Sequence, residues 1–312
     1  MFARTLALTL LLAGCATPAA QTPNAAAQQT AWAAQCADGS GWDDPGPPFK
    51  VYGNTYYVGT AGLTAILVTS DEGHILLDAG LPQSAAVIDA NIRTLGFRTE
   101  DVRLIVNSHA HFDHAGGIAA LQRVSGAAVA ASAAGKRAIE QGEPTRDDPQ
   151  YAFGREANRF PAVASVRAVA DGETLRAGDL AITAHLTPGH TPGSTTWTWR
   201  ACEGTRCYDV VYADSLNSVS APDFRFSGGG APSLVEVFRK SMAKVESLPC
   251  DIIISVHPSG TDMDAKVKGR RERPARDPFV TPDGCRAYAN AARARFDARL
   301  AEEGKSKAPS PR

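Results

Sequence analysis

The sequence lacks an excess of either charge: 32 Lys and Arg stand against 33 Asp and Glu, a net charge of -1. It therefore has no overall basic footprint of the kind nucleic-acid binding needs, and it has no polyacidic tail. It has no apolar run of the roughly 20 residues that a membrane-spanning helix requires. Aromatic residues are sparse, at 7%. No short-period repeat is present, which excludes a solenoid. What is there is a 312-residue chain, 44% apolar and 21% charged. That composition suits a soluble globular protein and excludes wholesale disorder and a multi-span membrane protein. The length allows one large domain or two small ones, and 28 Gly with 20 Pro imply many turns.

The N-terminus speaks to location. Arg4 precedes a short, almost wholly apolar run ending in Leu12-Ala13-Gly14-Cys15. This reads as a secretory signal over residues 1–14. Its end resembles a bacterial lipobox, so Cys15 is expected to carry a lipid that tethers the chain without spanning the membrane. An ordinary signal cut after Ala19-Ala20, giving a soluble periplasmic protein, is the alternative. Loss of residues 1–14 removes Arg4 and leaves a charge of about -2. The Ala-, Gln-, Thr- and Pro-rich stretch that follows reads as a flexible tether over 15–35. Export permits disulfides. Cys202 and Cys207 flank a hairpin-like turn, and Cys250 and Cys285 bracket the last strand and last helix. Those two pairs are expected, although spacing alone leaves the connectivity open. Cys36 has no obvious partner.

A single domain over 36–303 is expected, with a disordered tail over 304–312. Residues 63–69 and 75–78 read as a hairpin around Asp71-Glu72-Gly73. Strands at 104–106 and 129–131 alternate with helices at 83–95, 118–124 and 133–140, which argues for α/β layering. Residues 142–161 form a polar, turn-rich stretch carrying Tyr151, Phe153 and Phe160, either a functional lid or a mobile excursion. The second half repeats the scheme with strands at 181–185, 195–201, 208–212 and 251–256. Ser233-Leu234-Val235-Glu236 opens a helix as a capping box. Thr281-Pro282 supplies an N-cap and N1 proline for a last helix reaching Leu300. The basic stretch 266–276 could serve an anionic partner, but reads first as a solvated face or loop.

Seven histidines are present, and three crowd into Ser108-His109-Ala110-His111-Phe112-Asp113-His114, directly after a buried strand. Imidazole with carboxylate suits zinc, whereas hard cations want mostly oxygen. A catalytic zinc takes about three protein ligands plus water, so this loop with downstream histidines suffices for two ions. His190, in Thr187-Pro188-Gly189-His190-Thr191-Pro192-Gly193, and His257, before Pro258, both follow strands. Strand-end loops are where a rigid sheet displays ligands. His185 lies within a strand and His74 in a hairpin turn, and both read as structural or surface residues.

At these residues the chain resembles the metallo-β-lactamase superfamily, from Val51 to the final helix. The resemblance implies an α/β fold, an αβ/βα sandwich of two mixed sheets with helices on the outer faces. Residues 183–194, Thr196-Trp197-Thr198-Trp199, Tyr212-Ala213-Asp214-Ser215-Leu216 and Leu248-Pro249-Cys250-Asp251 are most like subclass B3. Ser215 stands where other subclasses have a zinc-binding Cys. Carried over, His109, His111 and His190 would hold one zinc ion, and Asp113, His114 and His257 a second. The implied activity is hydrolysis of the β-lactam amide bond of penicillins, cephalosporins and carbapenems by a hydroxide shared between two zincs. Asp113 would orient that nucleophile and pass a proton. Ser215 and Asn217 would bind the substrate carboxylate, although relatives usually have Ser or Thr near 217, and Phe153 would wall the pocket. The superfamily also hosts thioester and lactone hydrolases, in which Asp214 would bridge the metals if the register slipped by one residue. A non-catalytic zinc-binding lipoprotein would need an incomplete ligand set, and all six ligand positions are intact.

Overall fold

The computed structural model describes residues 41–229, 233–273 and 277–305. The signal, Cys15, the tether, Cys36 and residues 306–312 lie outside the described residues.

Twelve strands among the described residues form two sheets. The first is ordered β1 (Phe49–Tyr52), β2 (Thr55–Tyr57), β3 (Ile66–Val68), β4 (His74–Leu77), β5 (Val102–Val106), β6 (Ala128–Ser132) and β7 (Arg167–Val169). Its first four strands pair antiparallel, and β4 to β7 run parallel. The second sheet is ordered β12 (Ile252–Ser255), β11 (Arg206–Ala213), β10 (Thr195–Glu203), β9 (Leu180–Leu186) and β8 (Thr174–Ala177). Only β11 and β12 are parallel there.

The two-residue period of the strands sorts their side chains into three layers. Ile66, Val68, Ile75, Leu77, Leu104 and Val106 face the second sheet, where they meet Ile182, Trp197, Trp199, Val210, Tyr212 and Ile254. The intervening Leu67, Leu76 and Ile105 face outward. There they are covered by Ile88 and Ile92 of helix α1 (Ser84–Thr94) and by Ile118 and Leu121 of α3 (Ile118–Ser125). On the opposite outer face Val211 and Ile253 pack on Phe238, Met242 and Val245 of α6 (Leu234–Ser247) and on Phe296 of α8 (Gly284–Lys305). The result is the expected αβ/βα sandwich. Between α1 and α3 lies the four-residue helix α2 (Phe112–Ala115). Helices α4 (Ala133–Gln141), α5 (Arg155–Asn158) and α7 (Met263–Glu272) complete the set described.

Local signals behave as read at several ends. Gly126 and Gly142 close α3 and α4 in the left-handed conformation. The Ser233 side chain accepts from the Glu236 N–H and caps α6. The last helix departs from expectation. It opens at Gly284, with Ala287 N donating to the Asp283 carbonyl (2.9 Å), while the Thr281 hydroxyl that would cap it turns back to the Phe279 carbonyl (3.5 Å) and the Thr281 N–H donates to Asp251 O (2.7 Å). It also runs to Lys305, two residues into the stretch read as tail, with Glu303 buried. The stretch 266–276 is not simply a solvated face. Most of its described part is α7, and Arg270 donates to the Lys50 and Val51 carbonyls, pairs with Asp277 and lies 4.1 Å from the Phe279 ring centroid. The sulfurs of Cys202 and Cys207, and of Cys250 and Cys285, lie at disulfide distance.

Candidate metal centre

The cluster forms where β5, β9, β11 and β12 end. After β5, Asn107 and Ser108 are fixed by Asp78, a fully buried residue just past β4. Its carboxylate accepts from Asn107 Nδ2 (2.9 Å), Ser108 N (2.7 Å), Ser108 Oγ (2.6 Å) and Tyr212 OH (2.7 Å). Asp78 holds a left-handed backbone (φ 57), a strain of about 1 kcal/mol or more that its surroundings must offset. The chain then presents His109 and His111 from the loop and Asp113 and His114 from α2. The loop 187–193 brings His190 up from β9, and His257 follows β12.

These residues converge. One donor atom each of His109, His111 and His190 lies within 4.8 Å of the others, and the same holds for His109, Asp113 and His114. The rings of His109 and His190 are 4.7 Å apart, and those of His111 and His190 5.0 Å. His257 joins through Asp113, with Nε2 3.6 Å from Oδ2, and its ring lies 4.9 Å from that of His114. His114 Nε2 is 3.1 Å from the same oxygen. His74 and His185 stand apart, His74 against the Phe97 ring and His185 bonded to Thr198 Oγ1 (2.8 Å).

Several rings are oriented by a bond on the far nitrogen. His109 Nδ1 is 2.6 Å from Asp214 Oδ1, His190 Nδ1 is 2.8 Å from the Asn217 carbonyl, and His257 Nδ1 is 3.4 Å from the Gly62 carbonyl. His111 is turned the other way, with Nε2 3.1 Å from Asp148 Oδ2. Such partners fix tautomer and aim in metal sites. The nitrogens left over face one another, and His109 Nε2 is buried with no hydrogen-bond partner. Orphaned buried nitrogens are costly unless something binds them.

The electrostatics favour the metal-binding form at His109, His190, His257 and Asp113, whereas the carboxylates of Asp148 and Asp113 outweigh burial and push His111 and His114 upward. Burial, reinforced by neighbouring imidazoles, pushes His190 down to about 4 and His109 well below its usual range. Burial likewise takes His257 down to about 4. Neutral imidazole is the ligating form. Burial opposes ionisation of Asp113, but His114 and His257 outweigh it and hold the carboxyl well below the usual range. The donor set of five imidazoles and one carboxylate therefore fits one or more borderline-soft cations.

Three carboxylates beyond the expected ligands build this site. Asp148 had no distinguishing signal within a polar stretch. Asp78 had one, an Asp-Ala-Gly turn closing a buried strand. Asp214, considered above as a bridging group, is fully buried with one oxygen on His109. Ser215 and Asn217 line a cavity of about 810 Å³ that His257 also borders. Phe153 lies on a short 3-10 turn and is 45% exposed.

Comparisons with known proteins agree with this geometry. The family model described as the metallo-beta-lactamase superfamily matches residues 59–257. Rm3 metallo-beta-lactamase superposes with a TM-score of 0.82 at 47% identity, covering 85% of this chain and 97% of that one. MEM-A1, a subclass B3 metallo-beta-lactamase isolated from a soil metagenome library, gives 0.81 at 49% identity, covering 85% and 100%. A curated relative, "Probable metallo-hydrolase" of Burkholderia pseudomallei, is 32% identical over 178 residues, 53% of this chain. The chain spans about half, 54%, of that relative's length. With a sandwich fold, a convergent His/Asp cluster at the strand ends and a matching family model over most of the described residues, this chain belongs to the metallo-β-lactamase superfamily and is a metal-binding hydrolase.

Proposed function

We propose that the chain hydrolyses the amide bond of β-lactam antibiotics at a centre holding two zinc ions. His109, His111 and His190 would hold one ion, and Asp113, His114 and His257 the other. The observation that carries this reading is the convergence of the six side chains, with one nitrogen each of His109, His111, His190 and His257 already bonded on the far side and the remaining donor atoms gathered in one cluster. The structural neighbours named as B3 β-lactamases support the choice of substrate.

Bound zinc supplies a Lewis acid and brings the pKa of water towards neutrality. The chain's own residues do the rest. Asp113, held ionised, would take a proton from the attacking water and return it to the departing amide nitrogen. Asp214, Asp148 and the Asn217 carbonyl keep three imidazoles aimed. Ser215 and Asn217 offer polar atoms to the substrate from the cavity wall. The buried floor around His109 and His114 excludes bulk water, which strengthens each of these interactions.

We further infer that the chain is exported, that Cys15 tethers it to a membrane in the periplasm, and that both cysteine pairs are closed there. The sulfur positions support the closed pairs, and the lipobox-like Leu12-Ala13-Gly14-Cys15 motivates the tether.

The purified protein with zinc is expected to turn over a carbapenem, and a chelator should abolish that activity. Two zincs per chain without turnover of any β-lactam would overturn the substrate assignment and leave the centre intact. Thioesters and lactones would then be the substrates to try.

A further inference from the structure

The cavity bordered by Ser215, Asn217 and His257 continues along one face of α8, past Tyr288 and Ala291 to Arg295. The helix places these residues at known heights. Tyr288 is level with the metal centre, because its hydroxyl donates to the Asp214 carbonyl (3.0 Å). Arg299 is level with the rim, because its guanidinium donates to Ser220 Oγ (2.9 Å) and the Phe224 carbonyl (3.0 Å). Arg295 lies seven residues after Tyr288 and four before Arg299, so all three share a face. At 1.5 Å per residue its Cα stands about 10 Å above Tyr288 and about 6 Å below Arg299. The segment 214–220 is anchored to the same stretch of helix, at Asp214 by Tyr288 and at Ser220 by Arg299. Its charge also reaches the Tyr288 phenol and opposes the rise that burial causes there.

The other charges on this cavity are committed. Lys266 donates to the Ile253 carbonyl (3.3 Å) and lies 5.9 Å from the Phe279 ring centroid. Asp283 pairs with Arg286 at 3.2 Å. Asp262 precedes α7 and acts on Lys266. Arg295 has no hydrogen bond or ion pair among the described residues. A guanidinium on a cavity wall without a carboxylate is a ready fork for an incoming one.

We propose that Arg295 is a specificity-determining residue that captures an anionic carboxylate of the substrate beside Asn217 and Ser215. The proposal rests on the hydrolase reading above and adds one charged residue to the carboxylate contacts of that site. Ser215 and Asn217 offer only neutral dipoles, whereas Arg295 adds the full charge that distinguishes a carboxylate from its ester. It binds and orients, and takes no part in proton transfer.

The test compares wild type, Arg295→Ala and Arg295→Lys on a chromogenic cephalosporin and on its methyl ester. For the acid, KM should rise about tenfold in Arg295→Ala with kcat within about twofold, and Arg295→Lys should recover part of the loss. For the ester, all three proteins should share one KM. A second readout needs no turnover: saturation-transfer NMR of phenylacetate with zinc-free protein should show binding to wild type and none to Arg295→Ala. Equal KM for the acid in wild type and Arg295→Ala would overturn the proposal while the β-lactamase reading stood. If wild type hydrolyses neither compound, that reading fails, and the phenylacetate experiment alone decides for or against Arg295.

Discussion

Single side chains set the chemistry of this centre, and the least legible of them is Asp148. Its carboxylate, 5% exposed, meets His111 Nε2 with both oxygens, at 3.1 and 3.2 Å, and accepts from Gln150 N at 2.8 Å. It sits in Asp147-Asp148-Pro149, where nothing in the sequence says which acid turns inward. The side-chain partners of metal-ligating histidines are typically worth 10–100-fold in metal affinity. Asp148→Ala is therefore expected to weaken zinc binding by about that factor, and Asp148→Asn, which keeps an acceptor oxygen, by less. Competition against a chromophoric zinc chelator measures both. Unchanged affinity in Asp148→Ala would show that His111 needs no orienting partner. The six proposed ligands were legible for a simple reason: His and Asp crowded into strand-end loops have few structural uses. Their partners were not, because a carboxylate or a backbone carbonyl that aims a ring has no spacing of its own.

At the scale of elements, legibility followed the strength of the local pattern. Strands β4, β5 and β6 and helices α1, α3, α4 and α6 were readable, because long apolar periods and glycine stops agree there. Strands β1, β2, β7 and β8 were not, since three or four residues of mixed burial carry too little pattern. The start of α8 was misread because a Thr-Pro pair fits an N-cap in isolation, while the Thr281 backbone is held by Asp251. The loop carrying His190 shows how elements cooperate. Gly189 has φ +150, and a Cβ built there would stand 2.0 Å from Cδ2 of Phe238, in the middle of α6. The loop thus lies flat on α6, and Ser241 Oγ fastens it by donating to the Pro188 carbonyl (2.6 Å). Gly189→Ala must displace either Phe238 or His190. It should cost about 1–3 kcal/mol of stability and lower zinc occupancy. Thermal melts of the zinc-free protein and zinc counts per chain separate the two effects. A melt and occupancy equal to wild type would show that the loop does not rely on this contact.

Over the whole molecule, the mouth of the site is held by the end of the chain. Residues 217–227 leave the second sheet beside His190 and cross to α8, where Glu303 accepts from Phe226 N (3.0 Å) and Ser227 N (2.9 Å). Arg299 donates to the same carboxylate (2.9 Å), and Arg225 to the Glu303 carbonyl (2.8 Å). Ala221 N reaches the Pro149 carbonyl (2.9 Å), so this rim is also joined to the segment that aims His111. Burial alone would raise the Glu303 pKa, but the Ser227 hydroxyl and N–H, Arg299 and the Phe226 N–H outweigh it and hold the carboxyl down to about 2. A carboxyl whose pKa is lower in the folded than in the unfolded chain adds stability above the unfolded value, near 4.5. That contribution shrinks as pH falls from there and is gone below about 2. At 1.36 kcal/mol per pH unit that difference in pKa corresponds to about 3 kcal/mol, which solvent screening of the partly exposed partners reduces to roughly 2 kcal/mol at neutral pH. Glu303→Gln should therefore be destabilised by about that amount at pH 7, and the gap to wild type should narrow steadily between pH 4.5 and pH 2. Urea titrations of the zinc-free protein across that range read the difference directly, free of the metal's own pH dependence. A gap that stays constant with pH would mean that packing of the last helical turn, and not the charge on Glu303, closes the rim.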